Sequence, residues 1–344
     1  VRNHLKLSLT AQKQDINDPE VIREFARLVG DEAHLDYLYL LTVADVRATS
    51  PKLWNSWKAQ LFQETYELTK RALRQGLETP IDKEELLSER REEVLELLQL
   101  DTAQREAAEA LWEIFGDEYL LSCRPDEISW HTSELVDTEL DDDRSLVGIQ
   151  EQPTIAGTAL FVYAPQGQFT FAITTAVIDE FGLSLTDARI VALNNDRSIS
   201  IYNILEQDGQ PITDQTRREK LRQRLSKAVD ESQDSKLLVM RKAPRQVRMF
   251  TTPSRVSFAR DDSRQRTVMD FITGDRPGLA AQISQVLRSH NVFIHMAKLV
   301  TVGERAEDVF CITDDRQQSL SEEMEATLGE ALLKAIDAPE HESN

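Results

Sequence analysis

The sequence predicts an α+β protein: an all-α region followed by two tandem ferredoxin-like βαββαβ units. Two observations predict it. From residue 1 to about 136 almost every apolar pattern has helical spacing, and beyond about 154 a strand–helix–strand–strand–helix order occurs twice. A single shift along the chain carries Gly182 onto Asn291, Leu185 onto Ile294, Ala188 onto Ala297, Arg189 onto Lys298, Ile201 onto Phe310 and Ile204 onto Thr313. One offset spanning several elements is the signature of an internal repeat.

The helical region is read element by element. "NDPEVIREFARLV" offers Asn17 or Asp18 as a cap, Pro19 near the first helical position, and a stripe of Val21, Ile22, Phe25 and Leu28. "DEAHLDYLYLLTVADVRAT" follows and stops at Ser50-Pro51. "KLWNSWKAQLFQETYELTKRAL" has Trp54, Trp57, Leu61, Tyr66 and Leu68 for bulk. "DKEELLSERREEVLELLQL" and "QREAAEALWEIFG" carry charges spaced for i,i+4 pairs on solvated faces. "DTELDDDRSLVGIQEQP" breaks the register with acids, Gly148 and Pro153, and reads as a linker. The domains expected are thus residues 1–136, a linker at 137–153, and the repeats at 154–245 and 246–344.

In the first repeat "TALFVYA" is a strand, "FTFAITTAVIDEFG" a helix, "LSLTDARIVAL" and "SISIYNILE" strands, and "TRREKLRQRLSKAVD" a helix. The second repeat leaves no strand after "SEEMEATLGEALLKAID", so "TPSRVSFAR", just before its first strand, is expected to pair within that sheet. "RTVMDFI" alternates Val268, Asp270 and Ile272 with Thr267, Met269 and Phe271, as in a strand with both faces largely covered. "TGDRPGL" then turns into a helix, with Pro277 expected in its first turn and Asn291 as its left-handed stop. Gly274 and Gly278 let the backbone come close to something there; free N–H groups at a helix start hold a carboxylate or phosphate, and the alternative is a loop with no ligand.

Composition narrows the function. Sixty acidic against 40 basic side chains give a net charge of −20, which argues against nucleic-acid and anionic-membrane binding. The apolar run at "LYLLTVA" is far too short for a bilayer span. Two cysteines, Cys123 and Cys311, form no CxxC pair, and the simplest compartment is a reducing cytoplasm. The chain opens mid-pattern at Val1 and reads as an internal fragment.

Asp45 shares a helical stripe with Leu38 and Leu41, and a carboxylate there needs a partner. Residue spacing leaves two choices: an ion pair to Arg47 or Arg2, or a metal. His4, among Val1, Leu5 and Leu7, is either a packed histidine or a ligand; His34 reads as a surface residue and His131, beside Trp130, as packing.

The second repeat, with "GDRPGLAAQISQVL" and "NVFIHMAKLVTVGERAEDVFCITD", resembles an ACT domain, a small-molecule sensor of amino-acid metabolism. The pair, preceded by "LLTVADVRATSPKLWNSWK" and "EISWHT", resembles the C-terminal part of the bifunctional uridylyltransferase/uridylyl-removing family, which acts on the PII nitrogen-regulatory protein. "VRNHLKLSLTAQKQDINDPEVIREFARLVGD" is similar to the later half of that family's HD hydrolase domain.

The resemblance implies a cytoplasmic enzyme using UTP, releasing UMP and responding to glutamine. It implies that Asp45 is the last aspartate of the HD pattern, a ligand of Mg²⁺ or Mn²⁺, and raises His4 as a second ligand. It implies an amino-acid site at Asp275, Arg276 and Gly278 with Asn291, Val292 and Ile294, in which Gly278 admits the carboxylate to a backbone N–H and Asp275 takes the ammonium. The first copy has Gln166 for Asp275, Gln168 for Pro277 and Phe169 for Gly278, so the second copy is expected to dominate binding. The family's nucleotidyltransferase motif is missing, and no His-Asp dipeptide occurs, so the fragment alone is expected to be inactive. The alternative is a non-catalytic amino-acid-binding module coupled to a partner protein. Guanosine-tetraphosphate hydrolase–synthetases also join HD and ACT domains, but with one ACT copy and an intervening domain.

Overall fold

A computed structural model describes residues 5–49, 54–75, 83–136, 138, 144–152, 157–165, 170–193, 195–231, 253–262, 264–302 and 305–337. His4, Gln166, Gln168 and Phe169 lie outside them. The chain divides into two compact units, one of helices and one built on a sheet.

The helical unit contains α1 (Lys6–Lys13), α2 (Pro19–Val29), α3 (Glu32–Thr49), α4 (Ser56–Gln75), α5 (Lys83–Leu98), α6 (Thr102–Ser122) and α7 (Pro125–Leu135). Asp18 is the cap of α2, its carboxylate accepting from the Glu20 N–H at 2.8 Å. Val21, Ile22 and Phe25 are buried as the stripe predicts, but Leu28 is exposed. Asp101 and Gln104 form a reciprocal capping box at the start of α6. Between α6 and α7 the indole of Trp112 donates to Thr132 at 2.9 Å, and Tyr119 bonds His131 at 2.9 Å. His131 is fully buried, in keeping with a packing role, while His34 is exposed and pairs with Asp31. No helix among the described residues is long and apolar enough to cross a membrane.

The sheet unit opens with β1 (Leu146–Gln152), β2 (Gly157–Pro165), α8 (Thr170–Glu180), β3 (Ser184–Ala192), β4 (Arg197–Leu205) and α9 (Gln215–Asp230). It continues with β5 (Arg255–Asp261), β6 (Arg266–Gly274), α10 (Leu279–Ser289), β7 (Phe293–Lys298), β8 (Thr301–Val302), β9 (Arg305–Thr313) and α11 (Glu322–Asp337). The repeat is real. The offset that carries Gly182 onto Asn291 also carries the first residue of β1 onto that of β5, β2 onto β6, α8 onto α10, and β3 onto β7.

The strands form one sheet in the order β1-β2-β4-β3-β7-β9-β6-β5, with β8 added beside β9. The two repeats therefore join through β3 and β7, antiparallel, with Ala188 opposite Ala297. The helices pack in the row α9–α8–α10–α11. A single core of Leu160, Val162, Tyr202, Met269, Phe271 and Phe310, among others, lies between helices and sheet.

Four expectations need correction. First, β5 pairs with β6 from Arg255↔Ile272 to Asp261↔Arg266 as expected, but its counterpart β1 lies inside the stretch read as an acidic linker. Each unit thus takes its edge strand from before the repeat rather than after it. Gly148 makes this possible in the first copy, since a Cβ there would stand 2.2 Å from the Phe161 ring.

Second, the step from Arg197, which opens β4, to Arg305, which opens β9, is one position shorter than the common offset. The core-facing Tyr202 and Ile204 therefore correspond to Phe310 and Ile312. The pairing of Ile201 with Phe310 is off by one, and a slip of one residue exchanges the faces of a strand. Third, Thr267, Met269 and Phe271 are buried, but Val268, Asp270 and Ile272 on the other face of β6 are only half-buried. Fourth, α10 starts at Leu279 rather than around Pro277, because Gly278 is left-handed (φ 76°) and holds Pro277 in the preceding turn.

Candidate functional site

Left-handed residues end the equivalent helices of both copies. Gly182 has φ 67° and Asn291 φ 55°. In each, the next residue's N–H reaches back five positions, Leu183 to the Ile178 carbonyl at 3.1 Å and Val292 to the Leu287 carbonyl at 3.0 Å, as in a Schellman cap. Asn291 is exposed, Val292 is in the core, and Ile294 packs against it. These three are held there by the helix stop.

The other three named residues lie at the opposite end of α10. An eleven-residue helix separates the ends by about 16 Å at 1.5 Å per residue, so the six do not meet within one copy. What faces the Asp275–Gly278 turn follows from the seam. Asp187 pairs with Lys298 and the Leu299 N–H donates to the Thr186 carbonyl at 3.1 Å, so the register carries Leu185 toward Val300. Continued one step in that register, Leu185, the first copy's counterpart of Ile294, falls next to Val300, one residue before Thr301.

At the turn itself, Asp275 accepts from the Thr301 hydroxyl at 3.0 Å. Arg276 donates to the Gln282 side chain at 3.0 Å and to the Ile336 carbonyl at 2.7 Å, capping the last turn of α11. Its guanidinium is committed to structure. Gly278 is buried and left-handed, a conformation that costs a residue with Cβ about 1 kcal/mol or more.

The residue not found from sequence is Asp308. It pairs with Phe271 across β6 and β9, shares the helix-facing side with Ala306, Phe310 and Ile312, and is 3% exposed. Burial pushes its carboxyl up to about 8; the Asp275 charge adds to the rise, and the Val300 N–H opposes it. The signal was present in "RAEDVFCIT", where a period-2 count places residue 308 among the core positions. With β4 laid on β9 by their first residues, the corresponding position of the first copy is Ser200, so that copy has no acid there.

Asp45 is exposed on α3, whose buried residues are Leu35 and Thr42. No ion pair to its carboxylate occurs among the described residues, so the expected bridge to Arg47 is absent; Arg2 lies outside them. Among the described residues no group of three His, Cys, Asp or Glu side chains is arranged to hold a metal ion. A divalent ion does not fit Asp45 alone, because such ions take about six ligands. Around Asp45, Tyr37, Leu40 and Leu41 of the same helix are exposed.

Fold and site together define an α+β chain with a helical region and, later in the sequence, two ACT-like units that share one sheet. The fifth-domain model of uridylyltransferase GlnD matches residues 82–134, the stretch of α5 to α7. Bifunctional uridylyltransferase/uridylyl-removing enzymes of Stutzerimonas stutzeri and Pseudomonas putida are each 39% identical to the chain over 98% of it. That of Pseudomonas aeruginosa is 40% identical over 94%. The chain is therefore homologous over nearly its whole length to the bifunctional uridylyltransferase/uridylyl-removing enzymes. It spans 36–38% of the length of these relatives. Among solved structures, an aspartate kinase from Synechocystis covers 53% of the chain and 28% of its own, at 14% identity and a TM-score of 0.28, a likeness that carries no argument.

Proposed function

We propose that this chain is the glutamine-sensing and part of the hydrolytic portion of an enzyme that uridylylates and de-uridylylates PII. The observation that supports it most is the pairing of two ACT-like units through β3 and β7, with Thr301, which follows β7, bonded to Asp275 in the turn before α10. In this proposal the ligand carboxylate meets backbone N–H groups freed by Gly278, and its ammonium lies toward Asp275. Glutamine shifts the attached activities by its differential affinity for arrangements of the whole enzyme, typically about 1–3 kcal/mol. UTP is the donor in one direction and UMP the product in the other.

For the hydrolase, we propose that Asp45 is one ligand of Mg²⁺ or Mn²⁺, with His4 a candidate for a second. Bound, the ion would lower the pKa of a water for attack on the phosphodiester. The described residues hold too few donors to carry a step further.

A non-catalytic amino-acid-binding module coupled to a partner protein is the second proposal; it rests on the same β3–β7 pairing and the same turn before α10. Calorimetric titration of the chain with glutamine, glutamate and other amino acids tests the shared sensing claim. Saturable heat with glutamine, lost in Gly278→Val, is expected. Absence of binding by the unmodified chain overturns it.

A further inference from the structure

The sheet ends at β5, a strand of seven residues, and among the described residues no strand lies beyond it. It pairs with β6 over its whole length without a shift of register, from Arg255↔Ile272 to Asp261↔Arg266. The N–H and C=O groups along such an edge are a template for another strand, and edges are commonly blunted by a bulge, a proline or charged side chains. Neither bulge nor proline interrupts β5, and its charges, Arg255, Arg260 and Asp261, are of both signs.

The two faces of β5 have different surroundings. Val256 and Phe258 face α11, where a Cβ on Gly329 would stand 3.3 Å from Val256 Cγ1 and 3.5 Å from Phe258 Cε2. Arg255, Ser257 and Ala259 are exposed, and with Asp261 they share the other face. The Arg255 side chain has no partner among the described residues. At the far end of the strand, the Asp261 carboxylate accepts from Arg264 at 2.8 Å.

A second copy of this strand matches the edge in one register. Two strands related by a two-fold axis run antiparallel, and their helix faces coincide only when the axis passes through a residue, because side chains alternate with a period of two. An axis through Phe258 aligns the whole strand. It sets Arg255 opposite Asp261 of the second copy at both ends, Val256 opposite Arg260, Ser257 opposite Ala259, and Phe258 opposite itself. Moving the axis to Ser257 or Ala259 loses both charge pairs. The other edge strand offers no such match. β1 turned about its centre, Ile149, sets Val147 opposite Glu151, and Glu151 is already paired with Arg218 at 3.5 Å.

We propose that β5 is an interface between two copies of this chain, paired antiparallel about Phe258 and closed by two Arg255–Asp261 bridges. Backbone hydrogen bonds form along a free edge, and Phe258, half-buried in one copy, is covered further. The net charge of −20 on each copy opposes the approach. Association is therefore weak, with a Kd of about 10–100 µM. Nothing in this pairing depends on the amino-acid site.

Sedimentation equilibrium of the full chain should show monomer converting reversibly to dimer over that range. Arg255→Asp sets acid against acid, and Asp261→Arg sets arginine against arginine, so each variant alone should associate roughly tenfold more weakly or not at all. An equimolar mixture of the two variants should dimerise again, because each mixed pair carries both bridges. In the unmodified chain, amide hydrogen exchange in β5 should slow as concentration rises while that in β1 stays constant, a measurement that decides the matter even where a variant fails to fold. A chain that stays monomeric, or protection that appears in β1 instead of β5, overturns the proposal. So do single variants that dimerise as well as the unmodified chain.

Discussion

The Lys298 ammonium lies 2.8 Å from the Asp187 carboxylate, and the two residues are register partners across the seam between the repeats. Their side chains are only 5% and 18% exposed. The contact ties β3 of one copy to β7 of the other, so it holds together the pair on which the sensing proposal depends. Removing one partner of a buried ion pair leaves an uncompensated charge, at a cost of about 3–5 kcal/mol. Lys298→Ala is expected to lose about 3 kcal/mol in urea unfolding. Lys298→Met with Asp187→Leu should recover most of it, and equal instability of the single and double variants would show that the charge pair is not what matters.

Gly278 makes a second prediction. Its φ of 76° is unfavourable for any residue with a Cβ, and it sits buried where the ligand carboxylate is proposed to approach. Gly278→Val should cost about 1–2 kcal/mol through strain. It should also abolish glutamine binding by calorimetry, whereas changes at Gln166 should matter little. Wild-type affinity in the Gly278 variant would place the ligand elsewhere.

Asp308 also sets the pH dependence of stability. Its folded carboxyl is raised to about 8, against an ordinary value of about 4 in the unfolded chain. Between those values the folded state binds a proton that the unfolded state has lost. The contribution is therefore complete below about pH 4 and is lost as pH rises toward 8. Asp308→Asn removes it. The unfolding free energy of the unmodified chain, measured relative to this variant, should fall by a few kcal/mol from pH 4 to pH 8. His295 works in the other direction, since burial and then Arg266 lower it to about 3, so the difference between variants is the quantity to read.

Particular residues show what a sequence can and cannot reveal. Asp18 as a cap, Asn291 as a left-handed stop and β5 as an edge strand are all legible, because each depends on local chemistry or on the repeat. Strand β1 is not legible from composition, although the repeat offset carries β5 back onto it. Seven residues after an acidic run are too few to outweigh that run's composition. Asp308 is hidden for the opposite reason: residue type argues for the surface while strand parity argues for the core, and parity wins. The division of the proposed amino-acid site between the two copies depends on the β3–β7 register, which no single-copy pattern contains.

Asp45 supports the last prediction. A helical stripe with Leu38 and Leu41 implies a covered acid, yet in this chain Asp45 is exposed, along with Tyr37, Leu40 and Leu41. Helical periodicity tells which residues share a face but not what lies against it. An exposed carboxylate without an ion pair among the described residues contributes little to stability, so Asp45→Ala should change the unfolding free energy of the chain by less than about 0.5 kcal/mol. If the metal proposal is right, the corresponding substitution in a full-length relative should instead abolish release of UMP from uridylylated PII and weaken Mn²⁺ binding, with glutamine affinity unchanged. The two measurements separate the roles. A large loss of stability in this chain would mean that Asp45 is a structural partner, and retained UMP release in the longer enzyme would remove it from the metal site.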